Sequence, residues 1–234
     1  MNPNFIYFDL DDTLLDHWGA EKAALNDLYN EFDVFSSTTP EELIETYHRI
    51  NKGLWDKYGK GRIDRDTLQR LRFEETLAAL RLDSSLYEET GDYYIQAYRN
   101  HWEWKKGAAE ALETISNNFD VGILTNGFAE TQKLKIEQFA LSEIAEHLVI
   151  SEETGFLKPQ PEIFEHATSL TNNKPEEILY IGDSYTSDVI GGRAYGWKVA
   201  WYTDEEEIEK GRESDADFVF DNFKDLTDML NVGK

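Results

Sequence analysis

Phe5-Ile6-Tyr7-Phe8-Asp9-Leu10-Asp11-Asp12-Thr13-Leu14 is the stretch from which the fold follows. Phe5 to Asp9 is a short apolar, aromatic run ending in carboxylates, the pattern of a buried parallel strand. A lone strand cannot stand by itself, so its partners must lie further along the chain. They do not follow at once. Between residues 17 and 102 the apolar positions recur at helical spacing: Leu25, Leu28, Tyr29 and Phe32, then Leu43, Ile44, Tyr47, Leu54, Trp55 and Tyr58. Leu68, Leu71, Leu80, Tyr94, Ala97 and Tyr98 continue the period. Turn signals at Ser36-Ser37-Thr38-Thr39-Pro40, Gly59-Lys60-Gly61 and Asp83-Ser84-Ser85 divide this block into four or so helices.

From Gly107 onward strands and helices alternate. The expected strands are Val121–Thr125, Leu148–Ser151, Ile178–Gly182, Lys198–Tyr202 and Phe218–Phe220. The expected helices are Ala108–Ile115, Glu130–Phe139, Pro161–Leu170, Ser187–Tyr195 and Phe223–Leu230. Such alternation predicts an α/β fold, a Rossmann-like parallel sheet with helices on both faces. The helical block is then an insertion between the first two strands. Residues 1–16 and 103–234 are expected to form the α/β core domain, and 17–102 the inserted all-helical domain.

The composition narrows the function. The chain has 234 residues, 40% apolar and 30% charged, with 15 Gly and 5 Pro, which suits a globular protein and excludes collagen-like or linker-rich classes. It has no Cys, which excludes disulfides, thiolate metal sites and a cysteine nucleophile. No apolar run approaches the roughly 20 residues that span a bilayer, and the N-terminal residues lack the pattern of a signal peptide. A cytoplasmic address and no membrane partner are expected. With 23 Lys and Arg against 47 Asp and Glu the formal charge is −24, a field that repels nucleic acid. Arg62, Arg65, Arg70 and Arg72 are interrupted by Asp64 and Asp66 and read as a solvated helix face. A phosphorylated substrate therefore needs a local source of positive charge.

The topology supplies one. In open parallel sheets ligands bind beyond the carboxyl ends of the strands. At those ends stand Asp9-Leu10-Asp11-Asp12-Thr13, Thr125-Asn126-Gly127, and Gly182-Asp183-Ser184 with Asp188 five residues on, while Gly155-Phe156-Leu157-Lys158-Pro159 lies in the loop after the third strand. Asp9, Asp11, Asp183 and Asp188 brought together would repel unless a cation sat among them. An all-oxygen site with phosphate at hand suits Mg²⁺. That ion and Lys158 would offset the acidic whole. The Thr125 hydroxyl, the Asn126 amide and backbone N–H groups at the Gly127 turn are donors for phosphate oxygens. A carboxylate can attack phosphorus to give an aspartyl phosphate.

These four ordered motifs, Asp9-Leu10-Asp11-Asp12-Thr13-Leu14, Leu124-Thr125-Asn126-Gly127, Lys158-Pro159 and Gly182-Asp183-Ser184 with Asp188, resemble those of the haloacid dehalogenase-like hydrolase superfamily across nearly the whole chain. The insertion at 17–102 is similar to that family's helical cap. Gly127-Phe128 with Gln132, and the run Gly155 to Phe164, look most like its pyrimidine-nucleotide 5'-phosphatases. The resemblance implies Asp9 as nucleophile and Asp11 as general acid and base. It implies Thr125 and Lys158 as holders of the phosphoryl group. Mg²⁺ would be held by Asp9, the Asp11 backbone carbonyl and Asp183, with Asp188 a direct or indirect ligand. The implied partner is a small phosphorylated metabolite, most simply a nucleoside 5'-monophosphate. Alternatives are a sugar phosphatase, a phosphomutase, a haloacid dehalogenase or a phosphoryl-accepting signalling module. Asp11 speaks against the dehalogenase, because carbon–halogen displacement needs no leaving-group proton whereas phosphoester cleavage does.

Other residues have a plainer alternative reading. Asp9–Thr13 by itself could be a metal-free turn or a calcium loop, but Leu14 stands where the calcium template needs Gly, and Ala20 where it needs Glu. Phe128 and Trp18 are candidates for lining the substrate. Trp18, Trp55, Trp102 and Trp104 otherwise read as packing aromatics. His17, His48, His101, His147 and His166 show no paired metal spacing and read as structural or surface groups. Glu205-Glu206-Glu207 reads as a solvated first helical turn. Lys105-Lys106-Gly107 stands where relatives often carry Pro-Gly, on the return from the insertion.

Overall fold

Strand β1, Phe5–Phe8, is fully buried and lies inside a six-stranded sheet of order β3-β2-β1-β4-β5-β6. Its neighbours are β2, Asp120–Thr125, and β4, Ile178–Gly182; β3 is His147–Ile150, β5 Lys198–Tyr202 and β6 Phe218–Phe220. Every pairing is parallel, with Phe5 opposite both Asp120 and Ile178. The structure is a computed structural model, and it describes residues 3–203 and 215–232. The acidic turn at Glu205-Glu206-Glu207 lies outside the described residues.

Side chains alternate across the sheet with period two, and both faces are covered. Ile6, Phe8, Val121, Ile123, Leu179 and Ile181 face a core completed by helix α5, Ala108–Ser116, and by a closing helix, Phe223–Leu230. Phe5, Tyr7, Leu124, Ile178 and Tyr180 face a second core with Ile163 and Phe164 of α8, Pro161–Leu170. Tyr7 stacks on Trp197 at 5.2 Å, and Phe164 meets the same indole edge-on.

The chain divides between Asp16 and His17 and again between Glu103 and Trp104. The sheet unit joins its two segments by a bridge from Leu15 to Trp104 and a bond from Lys105 N–H to the Leu14 carbonyl. Lys105, the first residue of the Lys105-Lys106-Gly107 run on the return from the insertion, also reaches Asp16 at 3.1 Å. The other unit, His17–Glu103, holds α1, His17–Glu31, α2, Pro40–Gly59, α3, Arg65–Ala79, and α4, Tyr87–Asn100. Helix α2 starts at a capping box in which Thr39 and Glu42 satisfy each other's backbone N–H groups, worth about 1 kcal/mol. Its core is aromatic: Tyr47, Phe73 and Tyr94 lie within 5.3 Å of one another, ring centre to ring centre. No helix among the described residues is long and apolar enough to cross a membrane.

Beyond one-residue shifts at the ends of β2, α5 and the helix Ala129–Gln138, two differences from expectation lie beside the carboxyl edge of the sheet. Strand β3 ends at Ile150, and Ser151 begins a short helix, α7, Ser151–Thr154. The helix expected at Ser187–Tyr195 is a wide π-turn, Tyr185–Ile190, running into α9, Gly191–Tyr195. The cause is local: Val189 N–H reaches back five residues to the Ser184 carbonyl, and the Ser184 N–H donates to the Asp188 carboxylate at 2.9 Å. Wide turns of this kind are found where a side chain must be aimed at a site.

Candidate active site

The carboxyl end of β1 carries the nucleophile candidate. Asp9 N–H still donates to Ile181 of β4, so its backbone continues the sheet while its side chain passes beyond it. The chain then closes a tight turn, with Leu14 and Leu15 N–H both on the Leu10 carbonyl and Asp12 at φ 60°. Asp tolerates that left-handed conformation better than most residues. The turn buries Leu10 and Leu14 and leaves Asp11 half-buried at the rim.

Asp9, Asp183 and Asp188 each offer an oxygen such that the three lie within 4.8 Å of one another. Lys158 sits against this cluster. Its Nζ donates to Asp9 Oδ1 at 2.7 Å, to Asp188 Oδ1 at 2.8 Å and to the Tyr180 hydroxyl at 2.5 Å. Tyr180 in turn donates to the Leu124 carbonyl, which ties the ammonium to the underside of the sheet. The backbone of Lys158, next to a cis bond to Pro159, is held by Asn126, whose Nδ2 donates to the Lys158 carbonyl and whose Oδ1 accepts its N–H, both at 2.9 Å. Asn126 is thus placed otherwise than as an amide donor to phosphate: both ends of its amide engage Lys158. The clasp fixes Lys158, which stands on a loop between α7 and α8 rather than in the sheet.

Burial and charge explain the protonation behaviour. Burial pushes Asp9 up to about 7, and the Asp188 and Asp11 charges add to this while Lys158 opposes it. Asp183 is raised well above the carboxylate range, chiefly by burial and then by Asp9 and Asp188. Burial acts to lower Lys158, yet the two facing carboxylates prevail and hold it protonated above its ordinary value. Three carboxylates against one ammonium leave a negative excess in a buried place. A hard divalent cation on oxygen ligands is the group that such a donor set fits. Asp188 is fully buried and already gives Oδ1 to Lys158 and Oδ2 to Ser184 N–H. Gly182 has no side chain because an added Cβ would collide with the Asp188 carboxylate. Asp183 accepts from the buried Thr13 hydroxyl at 3.1 Å, and its carbonyl accepts from the Trp201 indole.

Thr125, at the end of β2, is fully buried, and its hydroxyl accepts from Gln132 Nε2 at 2.8 Å. The Gly127 N–H at the adjacent turn is taken by Ser151 Oγ at 3.1 Å. Gln132 belongs to α6, Ala129–Gln138, and also donates to Asp11 Oδ2 at 3.1 Å. Lys135, one turn on, donates to Asp11 Oδ1 at 2.5 Å. Phe128, before this helix, is buried. Trp18 lies in the helical unit, where its ring packs on His48 at 4.3 Å and under Lys22. Trp102 packs edge-on against Tyr98, and Trp55 against Tyr58.

Sequence reasoning missed Lys135, Tyr180 and Glu21 as organised polar groups. Glu21 is buried in the helical unit and accepts from Asn51, with His48 Nδ1 at 2.9 Å. A tyrosine in an otherwise aliphatic strand was the available signal for Tyr180. Three further His residues hold structural places, His17 at 2.6 Å from the Tyr98 hydroxyl, His101 on Asp27 and His147 stacked on Phe5, while His166 is exposed.

A sequence model of the haloacid dehalogenase-like hydrolases matches residues 6–202. With the fold and the carboxylate–lysine cluster, this places the chain in the haloacid dehalogenase-like hydrolase family. The chain is 32% identical over 202 residues to pyrimidine 5'-nucleotidase YjjG of Escherichia coli, covering 86% of each. It is 30% identical over 232 residues to a glyceraldehyde 3-phosphate phosphatase of Pyrococcus furiosus, covering 96% of this chain and 92% of that one. Among solved structures, the putative hydrolase YfnB of Bacillus subtilis, bound to magnesium, superposes with a TM-score of 0.84 at 28% identity, over 99% of this chain and 100% of that one.

Proposed function

We propose that the protein is a Mg²⁺-dependent phosphomonoester hydrolase acting on a nucleoside 5'-monophosphate. The observation that carries the chemistry is Lys158 seated between Asp9 and Asp188, with Asp11 two residues from Asp9 on the same turn. The pyrimidine nucleotidase relative supports the substrate class.

In this reading Asp9 attacks phosphorus and displaces the substrate's alkoxide, forming an aspartyl phosphate. Asp11 gives a proton to the leaving oxygen, then takes one from the water that hydrolyses the intermediate. Lys158 neutralises Asp9 while the phosphoryl dianion approaches, and Thr125 with the backbone at Asn126 orients the phosphoryl oxygens. Asp9, the Asp11 carbonyl and Asp183 would hold Mg²⁺, with Asp188 fixing Lys158 and the Asp183 loop. When bound, the ion supplies positive charge to the transferring phosphoryl group and the nucleophile.

The test is phosphate release from a panel of nucleoside monophosphates and sugar phosphates, each with Mg²⁺ and with chelator. Turnover concentrated on pyrimidine nucleotides and abolished by chelator is expected. Turnover on sugar phosphates alone would keep the chemistry and discard the substrate, in favour of a role like that of the Pyrococcus relative. Hydrolysis undiminished by chelator would remove the metal.

The acid role has its own check. Asp11→Asn is expected to lower kcat/KM, which reports the step that expels the leaving group, by about 100-fold or more on an alkyl phosphomonoester and far less on p-nitrophenyl phosphate, because general acid catalysis contributes about 10²–10⁴-fold where the leaving group needs a proton. Equal losses on both substrates would assign Asp11 another role.

A further inference from the structure

Lys135 is a lysine on the inner side of α6 with its side chain only 2% exposed. Lysine is almost never so buried without a partner, and here its Nζ meets Asp11 Oδ1 at 2.5 Å. Gln132, equally buried, takes the other oxygen, Oδ2, at 3.1 Å. The same Gln132 amide donates to the Thr125 hydroxyl at 2.8 Å. Residues three apart on a helix share a face, so one face of α6 grips both oxygens of Asp11 and links them to Thr125. Gly127 fits this arrangement: a Cβ there would press within 2.8 Å of the Gln132 side chain. Asp11 itself stands half-buried on the turn at the rim.

We infer that Lys135, together with Gln132, is a positioning residue for the general acid: it fixes the Asp11 carboxyl in register with the phosphoryl-binding Thr125. The inference rests on the reading of Asp11 as acid and base. A carboxyl that must reach one leaving oxygen, and later one water, gains from being held to a single rotamer, since misplacement by about 1 Å can cost 10²-fold. A lysine does this without competing for the metal-facing carboxylates, because it lies on a different element from Lys158.

The test compares wild type with Lys135→Met, Lys135→Arg and Gln132→Met on an alkyl phosphomonoester and on p-nitrophenyl phosphate, with Asp11→Asn as reference. Lys135→Met keeps the length and apolar stem of the side chain. It is expected to lower kcat/KM on the alkyl ester at least 10-fold and to leave kcat/KM on p-nitrophenyl phosphate within 3-fold. Lys135→Arg is expected to recover part of the loss, and Gln132→Met to repeat the selectivity. Asp11→Asn combined with Lys135→Met should be no worse than Asp11→Asn alone. A crystal structure of Lys135→Met is expected to show Asp11 in another rotamer or in several. Equal loss on both substrates, no loss on either, or an unchanged Asp11 rotamer would overturn the inference while a selective Asp11→Asn leaves the acid reading standing. Should Lys135→Met fail to fold, Gln132→Met and Lys135→Arg decide by the same criteria. A non-selective Asp11→Asn would instead bring down the acid reading and this inference with it.

Discussion

Asp9→Asn is expected to abolish turnover, with a fall of about 10⁴-fold or more, while leaving the fold intact. The size follows from the chemistry: an amide cannot attack phosphorus, and no other group among the carboxylates meeting at the sheet edge lies at the end of β1 with Lys158 on its oxygen. The fold should survive because Asn keeps the shape and still accepts from Lys158 through its carbonyl oxygen. Removing one negative charge from a crowded acidic site also relieves repulsion. Thermal unfolding beside phosphate release measures both halves. Retained turnover would remove Asp9 as nucleophile.

Lys158→Met is the second large effect and differs in kind, because it damages both activity and stability. The ammonium is buried and makes three close polar contacts. Without it Asp9 and Asp188 face each other unscreened, and breaking a buried ion pair from one side costs about 3–5 kcal/mol. A urea midpoint well below that of wild type is expected, together with loss of turnover by about 10³-fold as one preorganised charge contact disappears. Wild-type turnover would exclude Lys158 from holding the phosphoryl group. Unchanged stability would mean that the carboxylates relax apart without it.

Much of this was legible in the amino-acid sequence. Strands β4, β5 and β6 and helix α8 fall at their expected bounds, because unbroken apolar runs and a proline at the first helical turn are local signals. Asp9, Asp183 and Asp188 could be brought together on paper because parallel topology puts strand ends on one edge. What could not be read is burial. The α6 sequence Glu130 to Gln138 alternates charges and reads as a solvated helix, yet Lys135 points inward. The π-turn at Tyr185–Ile190 depends on a bond from Ser184 back to Asp188, which no helical periodicity records. Asn126 looked like a donor for phosphate, and its actual partner is a backbone 32 residues away. Such pairings are set only when distant segments meet.

The interior place of β1 has a consequence for the order in which the molecule is made. Asp9 leaves the ribosome early, but its partner Lys158 follows 149 residues later. At about 5–20 residues per second, synthesis leaves roughly 7–30 s in which the Asp9 carboxylate exists without the charge that seats it. During that interval helices α1 to α4 have their packing partners close in sequence, whereas β1 must wait first for β2 and then for β4 to be translated. The carboxylate–lysine cluster is therefore assembled late, and a translation product ending before Asp188 lacks one of its three carboxylates.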